Sequence, residues 1–327
     1  MPVLLQQAVL LHGMLLLNRN EFNGIVGTGA INDAVIYVKH TQASAANNAE
    51  ILENRINSAT NCNGILVDGA YTFVNRNYMN INQTANYGLA ALRAINSFGT
   101  VSNNQIIGKD MIGINVTNSP ELDFYYNSII SESNTYPTAM LNGAGDLMRN
   151  IFFNNGTGRV YQVLGSTLNS NQNVFFTKGS VLINDNGMNY NDLTPWQAKQ
   201  FDTESDVTEI EFESFNNLFI KYYSPSLLTG YPLFPNEEGY YINVAETYDF
   251  NGDVRKSYFI GSHELILSIS IERQTEGFVD CAGATDNILS VSSAINYNAP
   301  MTYQWEFDGS PIQGATEPIL YFKNLRH

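Results

Sequence analysis

Four asparagines, Asn104, Asn127, Asn150 and Asn173, recur at steps of 23 residues. Asn54 and Asn77 share that spacing, and a 27-residue step joins Asn77 to Asn104. Two places after each comes a large apolar residue: Ile56, Met79, Ile106, Ile129, Phe152 and Phe175. A fixed period of roughly 20 to 50 residues marks stacked structural units. This one is too short for helix pairs and fits one coil of a β-solenoid. The spacing therefore predicts an all-β parallel β-helix with coils of about 23 residues. Each strand pairs with its counterpart one coil away, at about 4.8 Å. Asparagine tolerates the left-handed backbone of a sharp turn. Its amide both donates and accepts, so identical side chains can bond along the stack as a ladder. The apolar residue two places on is expected to point inward and form a core stack.

The pattern extends upstream. Leu15-Leu16-Leu17-Asn18-Arg19-Asn20-Glu21-Phe22 aligns with Thr72-Phe73-Val74-Asn75-Arg76-Asn77-Tyr78-Met79. Asn20 and Phe22 thus form an earlier rung, with an insertion near Gln42 to Asn48 in one coil. The chain is expected to begin inside the solenoid. Residues 3–17 are read as strand. A signal peptide is the alternative, against which stand the missing basic region and cleavage site. No apolar run reaches the length of about 18 residues that a membrane-spanning helix needs.

A chain of 327 residues has room for two domains. Formal charge divides unevenly. Residues 1–190 carry 9 Lys/Arg and 11 Asp/Glu, whereas 191–327 carry 7 and 20. Much of the excess lies in Asp202, Glu204, Asp206, Glu209, Glu211 and Glu213, read as a solvated stretch with Ile210 and Phe212 facing in. An acidic surface repels phosphate backbones, which argues against nucleic acid as a partner.

The rhythm fades after Ile183. Asn184-Asp185-Asn186-Gly187 is turn-rich. Leu193-Thr194-Pro195-Trp196-Gln197 reads as a short helix start with proline in its first turn. Strand-like runs follow at Asn217–Ile220, Tyr240–Val244 and Tyr258–Ile260. Within this stretch come a Ser224-Pro225 pair, the turn Asp249-Phe250-Asn251-Gly252-Asp253-Val254-Arg255, and Ile260-Gly261-Ser262-His263-Glu264. This order resembles the closing segment of secreted right-handed parallel β-helix (pectate-lyase-like) surface proteins of Bacteroidetes, which reads DIDGDxR…IGAxE. Phe250 and Ser262 depart from it. The resemblance covers roughly residues 1–267, with repeating coils to about 190 and a closing segment at 191–267. It implies the fold and export, often by the type IX route, but no activity.

A second resemblance begins near Ser268. Tyr303-Gln304-Trp305-Glu306-Phe307-Asp308-Gly309-Ser310-Pro311-Ile312-Gln313-Gly314-Ala315-Thr316 looks like bacterial immunoglobulin-like repeats. Asp308-Gly309 is a hairpin signal. The resemblance implies an immunoglobulin-like sandwich over 268–327 with Cys281 and Trp305 in its core. The partner strand's pattern is missing before His327, so the module is expected to be incomplete. Cys62 and Cys281, the only cysteines, fall in different proposed domains and are not expected to pair.

The search for chemistry is mostly negative. There is no G-x-S-x-G, H-E-x-x-H, P-loop or metal pattern, and no cofactor is implied. Catalytic pectinase-type β-helices use clustered Asp with a G-H-G, or Arg/Lys beside calcium-binding carboxylates. No G-H-G and no Asp pair within the coils is evident. Asp110 with Glu121 and Asp123 is the closest carboxylate group, read as solvated turn residues. Asp249-x-Asn251-x-Asp253 spaces oxygens like the start of a calcium loop, but the later ligands are missing. It is read as a side-chain-bonded turn. Tyr125, Tyr126, Tyr136 and Tyr161 are candidates for a sugar-stacking face. The leading reading is a secreted or cell-surface, non-catalytic solenoid for adhesion or contact with a polysaccharide or cell-surface glycan. The alternatives are a polysaccharide lyase or glycoside hydrolase, and a structural stalk displaying other modules.

Overall fold

A computed structural model describes residues 6–10, 15–40, 48–85, 87–165, 168–214, 216–221, 248–255, 260–263, 269–274, 287–295 and 301–322. The chain divides into two compact units, Met1–Ile220 with Ser224–Glu264, and Lys221–Tyr223 with Leu265–His327.

The first unit is an all-β parallel solenoid of about six coils. Successive strands fall in turn into three sheets of nine, seven and eight strands. The first sheet holds strands such as Ala90–Ile95 and Ile112–Ser119, the second Phe98–Ser102 and Glu121–Tyr125, the third Gln105–Lys109 and Ser128–Glu132. Strand stretches lie at Gln6–Leu10 and Leu15–Asn18 within the region read as strand. In the third sheet Phe22, Ile56, Met79, Ile106, Ile129, Phe152 and Phe175 are successive cross-strand partners. From Ile56 to Phe175 they are fully buried. Phe22 packs half-buried at the first coil. Phe152 and Phe175 stack with centroids 5.9 Å apart, and Tyr161 meets both edge-on from the first sheet.

The asparagines stand at the corner between the second and third sheets. The backbone N and Nδ2 of each donate to Oδ1 of the next: Asn20 to Asn54, Asn54 to Asn77, Asn77 to Asn104, Asn104 to Asn127, Asn127 to Asn150, and Asn150 to Asn173. Nδ2 also donates to a main-chain carbonyl one coil back, as Asn127 does to Val101. One expectation is corrected. The left-handed residue is the one before each asparagine: Arg19, Glu53, Arg76, Asn103, Tyr126, Arg149 and Gln172, with φ between 53° and 60°. The asparagine is needed for its side chain alone.

The row ends in a polar cap. The backbone N of Asn173 donates to Ser205 Oγ, and its Nδ2 to Asp202 Oδ1. Asp202 also accepts from Ser170 Oγ, Ser205 Oγ and the Trp196 indole. It is fully buried, which corrects its reading as a solvated member of the acidic run. Four donors replace its water, although burial still raises its carboxyl above the usual range. Trp196, on the one-turn helix Thr194–Gln197 with proline at its start, lies between Tyr190 and Phe201 over the last coil. The rest of the run behaves as read: Ile210 is buried, Phe212 half-buried, and Glu209, Glu211 and Glu213 are exposed.

The chain then returns along the outer face of the third sheet. Ile107, Ile130, Ile151 and Phe153 point outward there yet are buried. The hairpin Phe212–Ser214 with Asn217–Ile220 lies against this face: Phe212 meets Phe153 edge-on and Leu218 N donates to Gln105 Oε1. In the turn at 249–253, Asp249 Oδ1 accepts from the backbone N of Asn251 and Asp253, a side-chain-bonded turn as read. Arg255 donates to Asn103 Oδ1 and to Gly261 O, with its guanidinium 4.0 Å above the Tyr126 ring. Ser262 donates through N and Oγ to Ser128 Oγ. Gly261 has φ +90°, and a Cβ there would stand 2.5 Å from Ile151 Cδ1. Tyr240–Val244, Glu264 and the Gln42–Asn47 part of the insertion lie outside the described residues.

The second unit shows small antiparallel sheets. Ile269–Gln274, Asn287–Ile295 and Ile319–Phe322 form one, and Glu306–Phe307 with Ser310–Pro311 a hairpin. Asp308 and Gly309 both have positive φ, as a tight hairpin turn requires. Trp305 departs from the core expectation. It is half-buried, its indole donating to Glu317 O. Cys281 lies outside the described residues. Cys62 is a free, fully buried thiol in the solenoid.

Replacing Phe152 with Ala should cost about 3–5 kcal/mol, the usual loss for a buried aromatic. Asn127→Ala leaves the N and Nδ2 of Asn104 without their acceptor and should cost about 3 kcal/mol or more. Guanidinium unfolding of purified variants checks both. A shift corresponding to under about 1 kcal/mol would remove the side chain from the core argument.

Candidate functional site

The three sheets offer three lateral faces, and they differ. The third is covered by the returning chain over its later rungs, while Glu21, Asn23 and Arg55 on its first rungs are exposed. On the first, the outward Leu66 is fully buried, and the Arg93 guanidinium is nearly enclosed, donating to Gly88 O. The second presents a largely half-exposed surface, interrupted at Thr100 and Ser102, which are buried. Burial alternates in Tyr71–Asn75 and Glu121–Tyr125, where Thr72, Val74, Leu122 and Phe124 are buried and their neighbours face out.

Cross-strand register arranges the outward residues in columns. One runs Asn48, Tyr71, Phe98, Glu121. The next runs Glu50, Phe73, Thr100, Asp123, with Asp146 and Asn169 on the following rungs. Tyr71 is the hub of an aromatic cluster, meeting Phe73 edge-on at 5.2 Å and Phe98 at 5.0 Å. All three rings are half-exposed. Beyond them along the axis come the carboxylates. Asp123 Oδ1 accepts from the backbone N of Asp146, and Asn169 Nδ2 donates to Asp146 Oδ1. Burial raises the Asp123 carboxyl. The backbone N–H of Asp146 pulls it down, the charges of Asp146 and Glu121 push it up, and a bond with Tyr125 opposes them.

This arrangement corrects two expectations. Asp110 does not join Glu121 and Asp123. It occupies a left-handed turn position at φ 52°, beside Gln83 and Tyr136 in a different recess, and Asp146 takes its place. A 23-residue step thus does bring two aspartates of the coils onto neighbouring rungs. Nor do the four tyrosines share a face. Tyr126 and Tyr161 are fully buried, Tyr136 lies in a turn with its hydroxyl accepting from Gly88 N, and only Tyr125 lies on the second sheet. His263, placed at a variable position by the motif, is buried against Phe219 with Nδ1 3.3 Å from Asp249 Oδ2. The aromatic cluster was not singled out in the sequence. Its signal is offset: Tyr71 and Phe98 stand six residues before Asn77 and Asn104, and Phe73 four before Asn77.

Among the described residues no cluster of His, Cys, Asp or Glu could hold a metal ion, and no helix is long and apolar enough to cross a membrane. Comparison with protein families, with characterised proteins and with solved structures found no match.

Asp123 supplies a pH test. Its folded carboxyl titrates above the unfolded value, so its stabilising contribution is fully present below the unfolded pKa, near 3.8, and is lost as pH rises through the folded one. Asp123→Asn keeps an oxygen for Asp146 N and removes that loss. The stability of the variant relative to the parent should increase between pH 3.5 and pH 7 in urea unfolding. An unchanged difference would show that Asp123 is not perturbed in the folded chain.

Proposed function

We propose that this chain is a secreted or cell-surface solenoid that contacts a glycan through the outer face of its second sheet, without catalysis. The observation that carries the reading is the Tyr71–Phe73–Phe98 cluster. Aromatic rings present an apolar body at low conformational cost, and here they form a rigid, half-exposed patch on regular strands. Polar neighbours able to bond hydroxyls flank it: Asn48 and Asn75 on the same strands' rungs, and Tyr125 and Asp123 further along. A long sheet face suits an extended polymer better than an enclosed small molecule. The resemblances to Bacteroidetes β-helix surface proteins and to immunoglobulin-like repeats support export and display. In this reading the coil is right-handed, in keeping with the strong preference of parallel crossovers, and the second unit is an immunoglobulin-like module.

A second reading has one observation in its favour. Asp123 and Asp146 stand on adjacent rungs, about 4.8 Å apart by strand spacing. Carboxyl groups about 5 Å apart are the requirement of retaining glycoside hydrolysis. Against it, Asp123 Oδ1 is already engaged by the main chain.

The test is a glycan-array and polysaccharide-binding screen, followed by Tyr71→Ala and Phe98→Ala. Each loss of a stacking ring should weaken binding roughly tenfold, about 1.4 kcal/mol. Unchanged affinity in both variants would move the contact off this face. Release of new reducing ends, abolished by Asp146→Asn, would favour the hydrolase.

A further inference from the structure

Resting on the glycan reading of this face, we infer that the second sheet selects against anionic polysaccharides and takes polymers of uncharged sugars. The seven strands that build it are Leu15–Asn18, Asn48–Leu52, Tyr71–Asn75, Phe98–Ser102, Glu121–Tyr125, Asp146–Met148 and Asn169–Asn171. They contain Glu50, Glu121, Asp123 and Asp146, and neither lysine nor arginine. All four acids occupy outward positions, alternating with buried Ala49, Ile51, Leu122, Phe124 and Leu147.

Their placement brackets the rings. Glu50 pairs with Phe73 on one side, and Glu121 pairs with Phe98 on the other. A chain lying along the axis over the aromatic cluster passes carboxylates at both ends. A uronate or sulfate on such a chain would approach fixed negative charge with no cation on the face to offset it. The basic side chains nearest in sequence are committed elsewhere: Arg19 and Arg76 pair with Glu53 at the corner beside this sheet. Arg149 turns to the Tyr126 hydroxyl and Gln172. The repulsion between close like charges persists even at the dielectric of water. Hydroxyl groups meet the opposite situation, since carboxylates are strong acceptors for them. Thus the rings hold the polymer and the acids decide which polymer may lie there.

The experiment compares two polymers with one backbone: polygalacturonate and its carboxyl-reduced form, a neutral galactan, each by isothermal titration with the whole chain. The neutral form should bind roughly tenfold or more tightly. The preference should shrink in 1 M NaCl, where the Debye length falls to about 3 Å. The Glu121→Gln/Asp146→Asn double variant, its folding checked by circular dichroism, should narrow the ratio at low salt. If the pair fails to fold, Glu50→Gln on the opposite flank gives the same readout. Equal or tighter binding of the acidic polymer, or a ratio unmoved by both salt and neutralisation, would overturn the charge filter while leaving glycan contact intact. If neither form binds, and no neutral or acidic polymer in a wider panel binds, the filter and the glycan reading fall together.

Discussion

Each asparagine of the corner row gives one oxygen to two donors of the coil before it, and the same arrangement repeats from Asn20 to Asn173. In this buried corner that oxygen meets the backbone N–H and one of the Nδ2 hydrogens, the other Nδ2 hydrogen going to a main-chain carbonyl, and an unmet buried donor costs about 1–3 kcal/mol. The row therefore holds the second and third sheets at a fixed angle and in fixed register. Three consequences follow from that register. The apolar residue two places later always lands on its counterpart, which builds the core column. The residue four places earlier faces out from the second sheet at Glu50, Phe73, Thr100, Asp123 and Asp146, and the residue six places earlier at Asn48, Tyr71, Phe98 and Glu121, which builds the candidate site. The coil cannot slip by one residue without turning every strand inside out.

The row also explains where the solenoid stops. A carbonyl-like oxygen is still required after Asn173, and the chain supplies it with Ser205 Oγ and Asp202 in place of another coil. Trp196 closes the apolar interior in the same stroke, because its indole N–H satisfies the remaining carboxylate oxygen. Burying an acid costs stability unless it is fully bonded. Here the cost is offset by four donors and by an end that no longer exposes strand edge over the core.

The period, the inward column and the short helix were legible because they rest on local rules: fixed spacing, an apolar residue at a fixed offset, and proline in a first turn. The left-handed corner residues were not, because Arg19, Glu53, Asn103 and Tyr126 share no side-chain chemistry; only their position relative to asparagine is common. The covered third face left a signal in the doublets Ile106-Ile107, Ile129-Ile130, Phe152-Phe153 and Phe175-Phe176, since a strand apolar on both sides is a strand buried on both sides. Asp202 looked solvated because its neighbours are. Its partners Ser170, Asn173 and Trp196 are brought to it only by the closing of the last coil. Asp123 and Asp146 are separated by a full coil in sequence, so their adjacency appears only once the register is known.

The returning segment has anchors on several different rungs: Asn216 on Asn80, Leu218 on Gln105, Arg255 on Asn103, Ser262 on Ser128, and Gly261 on the Arg149 carbonyl. A clasp of this kind acts as a ruler. Inserting or deleting one coil between Asn80 and Arg149 would displace one anchor from the others by about 4.8 Å, more than a hydrogen bond can stretch. The number of coils between Asn80 and Arg149 is thus set twice, once by the asparagine row and once by the clasp, and the length of that stretch cannot drift without breaking both.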